Sequence, residues 1–368
     1  SRKPLITVSA ALTVSGIASL VAPMIVFLLG MDFSALHSSW VTVGKFAILL
    51  VLLAAPFFFG GMALAALFKE MPRQIPRLYM ADLLGAGAGV LAVIVAMNRL
   101  GTPATVFWTS LPILLAALIT SRTRWKLIPA AAVIGLIGAA TYPGTVLRLP
   151  PETRAPVIYE HWDATAKIKV YDFGGRYRGL NIDNVANTPL IPFDGNWDPV
   201  YEHARESGWP IDVGYLISMF DSCTFLSLGA GGGSDLFQAL GNGATEVHAV
   251  EVSPHINRMM LEGDPAGYII RDSTVSDSTG ALITTPAYTG FLYYDQRVKV
   301  ATEDARTYVR RHRNTFDVIF SLSSNTWAAL ASGSFALAEN YLFTKEAFED
   351  YWLALSDEGF LSMEHQVY

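Results

Sequence analysis

The sequence predicts an α-helical transmembrane bundle followed by a Rossmann-like α/β domain with a small β-rich lead-in. Three observations carry that prediction. Between Leu5 and Tyr142 the only acidic residues are Asp32, Glu70 and Asp82, and charge returns to a globular frequency after Pro150. Beyond that point short apolar runs recur with the spacing of alternating strands and helices. The first run opens into the glycine-rich turn of "FLSLGAGGGSDLFQAL" (225–240), which leads into an amphipathic stretch.

The 368 residues are 52% hydrophobic and 16% charged. That is too apolar for an ordinary soluble protein and too polar for one lying wholly in a bilayer. The composition shift and the prolines of "PGTVLRLPPETRAP" (143–156) set a boundary, giving a transmembrane domain over 1–145, a β-rich segment over 157–195 and an α/β domain over 196–368. A net charge of -6 argues against a nucleic-acid partner, which calls for a basic face. The single cysteine, Cys223, excludes an internal disulfide and reads as a small residue opening a core strand.

A helix needs about 20 mostly apolar residues to cross a bilayer. Five segments meet or approach that length: Leu5–Leu29, Val41–Phe68, Tyr79–Met97, Ala104–Ile119 and Leu127–Tyr142. The fourth and fifth are short, and the fifth is the candidate for a re-entrant or interfacial piece. Further apolar stretches and the lack of a cleavage pattern exclude a removed signal peptide. In "ADLLGAGAGVLA", Gly85 and Gly89 form a GxxxG pair, expected to pack tightly inside a bundle. Asp82 reads as a capping carboxylate near the membrane surface, close to Arg77, with a relay or substrate contact as the alternative. Lys69, Arg73 and Arg77, then Arg122, Arg124 and Lys126, mark two cytoplasmic loops. Five complete spans would then put the α/β half outside the cytoplasm.

In that half, "CTFLSLGA" (223–230), "EVHAVEV" (246–252), "RVKVAT" (297–302), "FDVIFSL" (316–322) and "GFLSMEH" (359–365) read as strands. Runs this apolar are buried on both faces, which predicts a parallel doubly wound sheet. Before them, "AKIKVYDF" and "RGLNIDN" alternate around "GGR" and predict a hairpin. Gly263–Asp295 lacks periodicity and reads as a long insertion loop over the carboxyl edge.

Ligands of such sheets bind at the carboxyl ends of the strands. Gly229, Gly231, Gly232 and Gly233 allow close backbone approach there, and the helix starting near Ser234 offers free N–H groups. Glu251 ends the second strand about 20 residues on, where a carboxylate accepts from ribose hydroxyls. Asp304 follows the third strand, where a carboxylate can hold the adenine end of a nucleoside. Asp235 selects among ligands. Its carboxylate repels a pyrophosphate and attracts the cationic amine of S-adenosylmethionine or its decarboxylated form. The spacing also departs from G-x-G-x-x-G.

With these residues in view, the chain from about Trp162 onward resembles the spermidine synthases of the class I methyltransferase superfamily, and more closely their membrane-fused bacterial relatives. The motifs are "LYMADLLGAGAG", "LNIDNVANT", "LGAGGGSDLFQALGNGATEVHAVEVSP", "EDARTYVRR" and "NTWAALASGSFALAENYLFTKEAFEDYWLALSDEGFLSM". The resemblance implies that Asp235 meets the amino-acid or aminopropyl portion of the donor, Glu251 the ribose, and Asp304 with Ala305 the adenine. It also implies a basic aspartate after the fourth strand; this sequence has Asn325 near that place, and an amide cannot act as a general base. The polyamine motif is matched only by Tyr201, Glu202 and His203, in another order.

The expected activity is a membrane-embedded transferase moving a methyl or aminopropyl group from an adenosyl-sulfonium co-substrate to a small-molecule acceptor. Asp183 and Trp327 are candidate substrate contacts, and Asn325, Glu339 and Tyr341 candidate catalytic residues. The alternative is a catalytically inactive assembly subunit, with other subunits of a membrane complex and the lipid bilayer as partners. His203, His248 and His365 lie on different elements, so no metal site is expected. The expected location is the bacterial inner membrane. An active α/β domain belongs in the cytoplasm, opposite to the side given by five spans. The chain stops after the fifth strand, before the antiparallel pair that completes this sheet, and reads as C-terminally truncated.

Overall fold

The computed structural model describes residues 3–31, 36, 38–122, 125–147, 155–173, 177–183, 186–207, 213–263, 284–322 and 341–364. They fall into two compact units, Ser1–Glu152 with Trp162–Ala164, and Thr153–His161 with Thr165–Tyr368.

The first unit comprises α1 (Lys3–Leu29), α2 (Trp40–Glu70), α3 (Ile75–Leu100), α4 (Thr102–Trp108), α5 (Ser110–Thr120), α6 (Leu127–Thr141) and α7 (Pro143–Val146). Four stretches, Thr7–Leu29, Trp40–Glu70, Pro72–Leu100 and Thr102–Thr120, are long and apolar enough to cross a membrane. Of the five segments read from the sequence, the last falls short. The 15 residues of α6 extend about 22 Å at 1.5 Å per residue, against a hydrocarbon layer of about 30 Å. The fourth stretch breaks at Thr109, where Pro112 lacks an N–H and its ring crowds the Trp108 carbonyl.

Packing in this unit departs from the expectation for the GxxxG pair. No residue of α3 is buried, and a Cβ at Gly85 or Gly89 would meet nothing within 4 Å. The tight approach falls instead at Gly16 on α1, where a Cβ would collide with the Leu114 side chain of α5. Val8, Ala11 and Ala63 pack α1 on α2, and the Ser15 hydroxyl donates to the Pro56 carbonyl across that pair at 2.7 Å. Phe57, Phe58, Leu84 and Leu91 are exposed. An apolar surface of this kind suits solvation by lipid.

The second unit begins with a sheet ordered β1 (Val157–Trp162), β2 (Lys167–Asp172), β3 (Arg178–Ile182) and β4 (Ala186–Leu190). As the alternation predicts, β2 and β3 pair antiparallel, with Val170 opposite Leu180. Helices α8 (Asp198–Ser207) and α9 (Val213–Ser218) follow. Next come β5 (Thr224–Leu228), α10 (Ser234–Gly241), β6 (Glu246–Glu251), α11 (Pro254–Glu262), α12 (Thr285–Tyr288), β7 (Val298–Thr302), α13 (Ala305–Arg310), β8 (Phe316–Leu322), α14 (Lys345–Ala354) and β9 (Leu355–Glu364).

The second sheet has the order β7-β6-β5-β8-β9, and every pair is parallel. This is a Rossmann-like, doubly wound layer. Phe225, Val247, Val318 and Phe320 face one core, which also holds Leu236 of α10 and Ile168, Val170, Leu180 and Leu190 of the first sheet. Leu226, Leu228, Val250 and Ile319 face the other, under α13 and α14. Alternate residues of one strand thus serve opposite layers. The expected insertion loop needs correction where it is described: residues 284–295 form α12 and a 3-10 turn, Leu292–Tyr294. Its portion 264–283 lies outside the described residues.

Candidate functional site

In the order β7-β6-β5-β8-β9 the chain winds one way from β5 to β6 and the other way from β8. The turn after β5 therefore opens at the reversal of winding, where doubly wound sheets leave a crevice. The Gly229 and Ala230 N–H groups donate to the Val250 carbonyl at 2.9 and 3.0 Å, which carries the β5–β6 pairing past the end of the strand. Gly231 (φ +51°) and Gly233 (φ +79°) then take left-handed conformations, and Gly233 caps α10. Other side chains would also be excluded by contact. A Cβ at Gly232 would come within 2.9 Å of Leu190 Cδ2, and one at Gly233 within 2.9 Å of Tyr293 Cε2.

Two carboxylates are buried against this turn. Asp235, second residue of α10, is 5% exposed and accepts on Oδ2 from the Ser227 hydroxyl. Burial pushes its carboxyl up to about 6; hydrogen bonds from Ser227, the backbone and Ser234 oppose the rise, and the Glu251 charge adds to it. Glu251, the last residue of β6, is 6% exposed. Its Oε2 accepts from Gly231 N at 3.1 Å and its Oε1 from Ser253 N at 2.8 Å. Burial raises its pKa, and these backbone donors pull it back. Among the described residues neither carboxylate has a salt-bridge partner.

Tyr293, which the sequence reading missed, is the third ionisable group here. Its buried hydroxyl donates to the Gly231 carbonyl at 3.0 Å. Burial, with the charges of Asp235 and Glu251, holds its pKa well above the ordinary phenol value, so it remains a donor at physiological pH. It lies in a stretch without periodicity, which hid it. Ser227 did leave a signal, as the one hydroxyl inside the apolar run "FLSLGA".

The remaining predicted residues are placed as follows. Asp304 stands at the end of β7 beside Glu303, whose N–H donates to the Glu251 carbonyl at 3.2 Å. Its carboxylate caps α13, accepting on Oδ1 from Thr307 N at 2.8 Å and Thr307 Oγ1 at 3.0 Å; Ala305 is buried behind it. Asp183 adopts φ +53° and closes the β2–β3 pair, with Oδ1 accepting from Lys167 N at 2.8 Å. Only the backbone of Tyr341 is described, at the start of the 3-10 turn Tyr341–Phe343. Asn325, Trp327, Glu339 and His365 lie outside the described residues.

His248 bridges the Tyr308 hydroxyl and Glu246, each at 2.6 Å, and burial lowers its pKa. His203 is exposed on α8. A histidine pair not singled out from the sequence, His161 and His255, stacks with ring centroids 3.4 Å apart and 5° between planes.

No protein-family model matches the chain, and no curated protein matches it. Among solved structures it is similar to a spermidine synthase in complex with the transition-state analogue AdoDATO, at 18% identity and a TM-score of 0.35, over 56% of this chain and 55% of that one. It is also similar to spermidine synthase from Thermotoga maritima, at 19% identity and a TM-score of 0.36, over 56% of each chain. The matched region thus spans little more than half the length of either neighbour.

Proposed function

We propose that the protein is a membrane-embedded transferase whose α/β unit binds S-adenosylmethionine or its decarboxylated form and passes a methyl or aminopropyl group to a small or membrane-proximal acceptor. One observation carries this reading: Asp235 and Glu251 are buried beside a glycine turn with no cationic partner among the described residues. Buried carboxylates without counterions are unfavourable. A ligand bearing ammonium and sulfonium charges offsets that cost, and a pyrophosphate adds to it. The reaction is an in-line displacement. The acceptor lone pair forms the new bond to carbon as the carbon–sulfur bond breaks, its electrons neutralise the sulfonium, and the acceptor's proton passes to water. Positioning supplies most of the rate in such a step, so an amide at Asn325 is compatible with it when the acceptor is already nucleophilic.

Four spans also support a cytoplasmic α/β unit. If α6 does not cross, the chain beyond Arg122 stays on the side of the Arg122–Lys126 loop. A cysteine replacing Arg122 and another replacing Asp194 should then both be shielded from an impermeant maleimide in intact cells. The native Cys223 will not interfere, since it is buried and its thiol is pushed up to about 12, mainly by burial.

A second reading, an inactive assembly subunit, rests on a different observation. Both Glu251 oxygens and the Tyr293 hydroxyl are engaged by backbone, and Asp304 by its own helix, so the turn is held without a ligand. Isothermal titration of the detergent-solubilised full chain with S-adenosylmethionine and with its decarboxylated form separates the two. Saturable binding supports the transferase, and no heat from either donor at millimolar concentration leaves the assembly role.

A further inference from the structure

In a chain of net charge -6, the stretch "RTYVRRHR" (306–313) concentrates four arginines and a histidine. The fold treats these side chains differently. Arg306 Nε donates to Asp350 Oδ2 at 2.7 Å, and its Nη1 reaches Thr344 Oγ1 at 3.4 Å. Arg311 pairs with Glu303 and lies over the Tyr308 ring. Arg310 comes no closer than 3.9 Å to Asp350, beyond hydrogen-bond reach. The Arg313 guanidinium has no partner among the described residues.

Arginines at helix C-termini commonly answer the free carbonyls there. Here the backbone does much of that work. Asn314 N donates to the Leu353 carbonyl at 3.0 Å, Thr315 N to the Ala354 carbonyl at 2.8 Å, and His312 N to the Val309 carbonyl at 2.9 Å. His312 Nδ1 is 2.8 Å from the Tyr308 carbonyl. Its partner is an acceptor only, so this nitrogen carries the proton and the ring is fixed. Arg310, His312 and Arg313 line a cavity of about 130 Å³ that Asp350, Val309 and Leu353 complete. That is several times the ~30 Å³ share of a water molecule.

We propose that this cavity binds a phosphate-type oxyanion. Asp350 is the one carboxylate lining the cavity; Arg306 engages it from outside, where Glu346 adds a second negative charge, and Arg310 reaches it at 3.9 Å. Arg310 keeps only the long contact to Asp350 and Arg313 keeps no partner among the described residues, so like charges adjoin around the cavity and repel. A tetrahedral oxyanion reverses that sign, and guanidinium forks match its geometry. The cavity sits at the end of α13 where β8 begins, on the amino edge of the sheet, opposite the glycine turn. It is therefore independent of the donor site. The oxyanion can come from a free phosphate or from the headgroup of an anionic phospholipid.

Isothermal titration of the full chain in maltoside micelles with inorganic phosphate, at ionic strength matched with chloride, tests the site. Saturable binding is expected, at least ten-fold weaker in R310Q/R313Q and unchanged in R311Q, whose parent side chain is held by Glu303. Repeating the titration in phosphatidylglycerol nanodiscs identifies the source: loss of phosphate binding assigns the site to a lipid headgroup, and retention to a free anion. If R310Q/R313Q unfolds, R310K/R313K keeps the charge, lacks the forks and should still bind phosphate more weakly than the native chain. Heats that do not saturate, or that are equal in native and substituted chains, overturn the proposal.

Discussion

Glu251 holds Gly231 in place: one carboxylate oxygen takes the Gly231 N–H at 3.1 Å, and the other takes the Ser253 N–H at 2.8 Å. A single side chain thus fastens the turn after β5 to the start of α11, and two neighbouring strand ends are set together. Glu251→Gln turns one acceptor into an NH2 facing an N–H donor. An orphaned buried donor costs about 1–3 kcal/mol, so urea unfolding of the full chain in detergent should show a loss of that size. Under the donor-binding reading the affinity for S-adenosylmethionine should also fall at least ten-fold, and a variant that loses stability but keeps full affinity removes Glu251 from the donor site.

Asp235 gives the protein an unusual acid-side behaviour. Its carboxyl is raised to about 6, chiefly by burial, so the folded state keeps a proton that the unfolded chain has already released. Between the two values the native state binds more protons. The stability from this group is therefore complete below the unfolded aspartate value and is lost as pH rises through about 6. At 1.36 kcal/mol per unit the loss is about 3 kcal/mol. The stability of the native chain relative to Asp235→Asn should decline by roughly that amount between about pH 4 and 7, and saturating S-adenosylmethionine should reduce the decline. A flat difference would mean that the carboxyl is solvated.

Gly233 and Gly243 separate backbone strain from collision. Both have positive φ, +79° and +94°, but a Cβ at Gly233 meets Tyr293 and Leu292 whereas one at Gly243 meets nothing within 4 Å. Each alanine substitution incurs the left-handed penalty of about 1–2 kcal/mol. Gly233→Ala should lose a further ~1–3 kcal/mol from overpacking, measured as the difference between the two unfolding free energies. Equal losses would show that Tyr293 moves aside freely.

Asp304 has a cap role in the structure and an adenine role in the proposal, and serine distinguishes them. Asp304→Ser keeps an acceptor for Thr307 N and should change stability by less than ~0.5 kcal/mol, whereas Asp304→Ala should lose about 1 kcal/mol. If the carboxylate also holds the nucleoside, both substitutions weaken S-adenosylmethionine binding to a similar degree. Unchanged affinity in Asp304→Ser leaves it a cap alone.

Much of the fold was legible because burial on both faces leaves a continuous apolar run. The runs at 223–230, 246–252, 297–302 and 316–322 correspond to β5, β6, β7 and β8 within a residue or two at most ends. The glycine turn and Glu251 were legible for a related reason, since a left-handed turn after a strand restricts residue choice. Tyr293 was not, because its partners Gly231, Asp235 and Glu251 are distant in the chain and no periodicity links them. The Gly85–Gly89 pair shows the reverse failure. A pair of small residues states that a helix can be approached closely, and the other helices decide where approach happens; here it happened at Gly16.

By itself, then, the sequence determined a long apolar half, a parallel doubly wound half and a carboxylate-rich glycine turn between strand and helix, because hydrophobic period and backbone conformation are local properties. The tertiary structure alone decided that both Glu251 oxygens would bind backbone, that Asp304 would cap its own helix, and that Arg306 would take Asp350 while Arg310 and Arg313 were left around a cavity. Which donor meets which acceptor depends on distances between residues far apart in the chain, and these are set only when the layers pack.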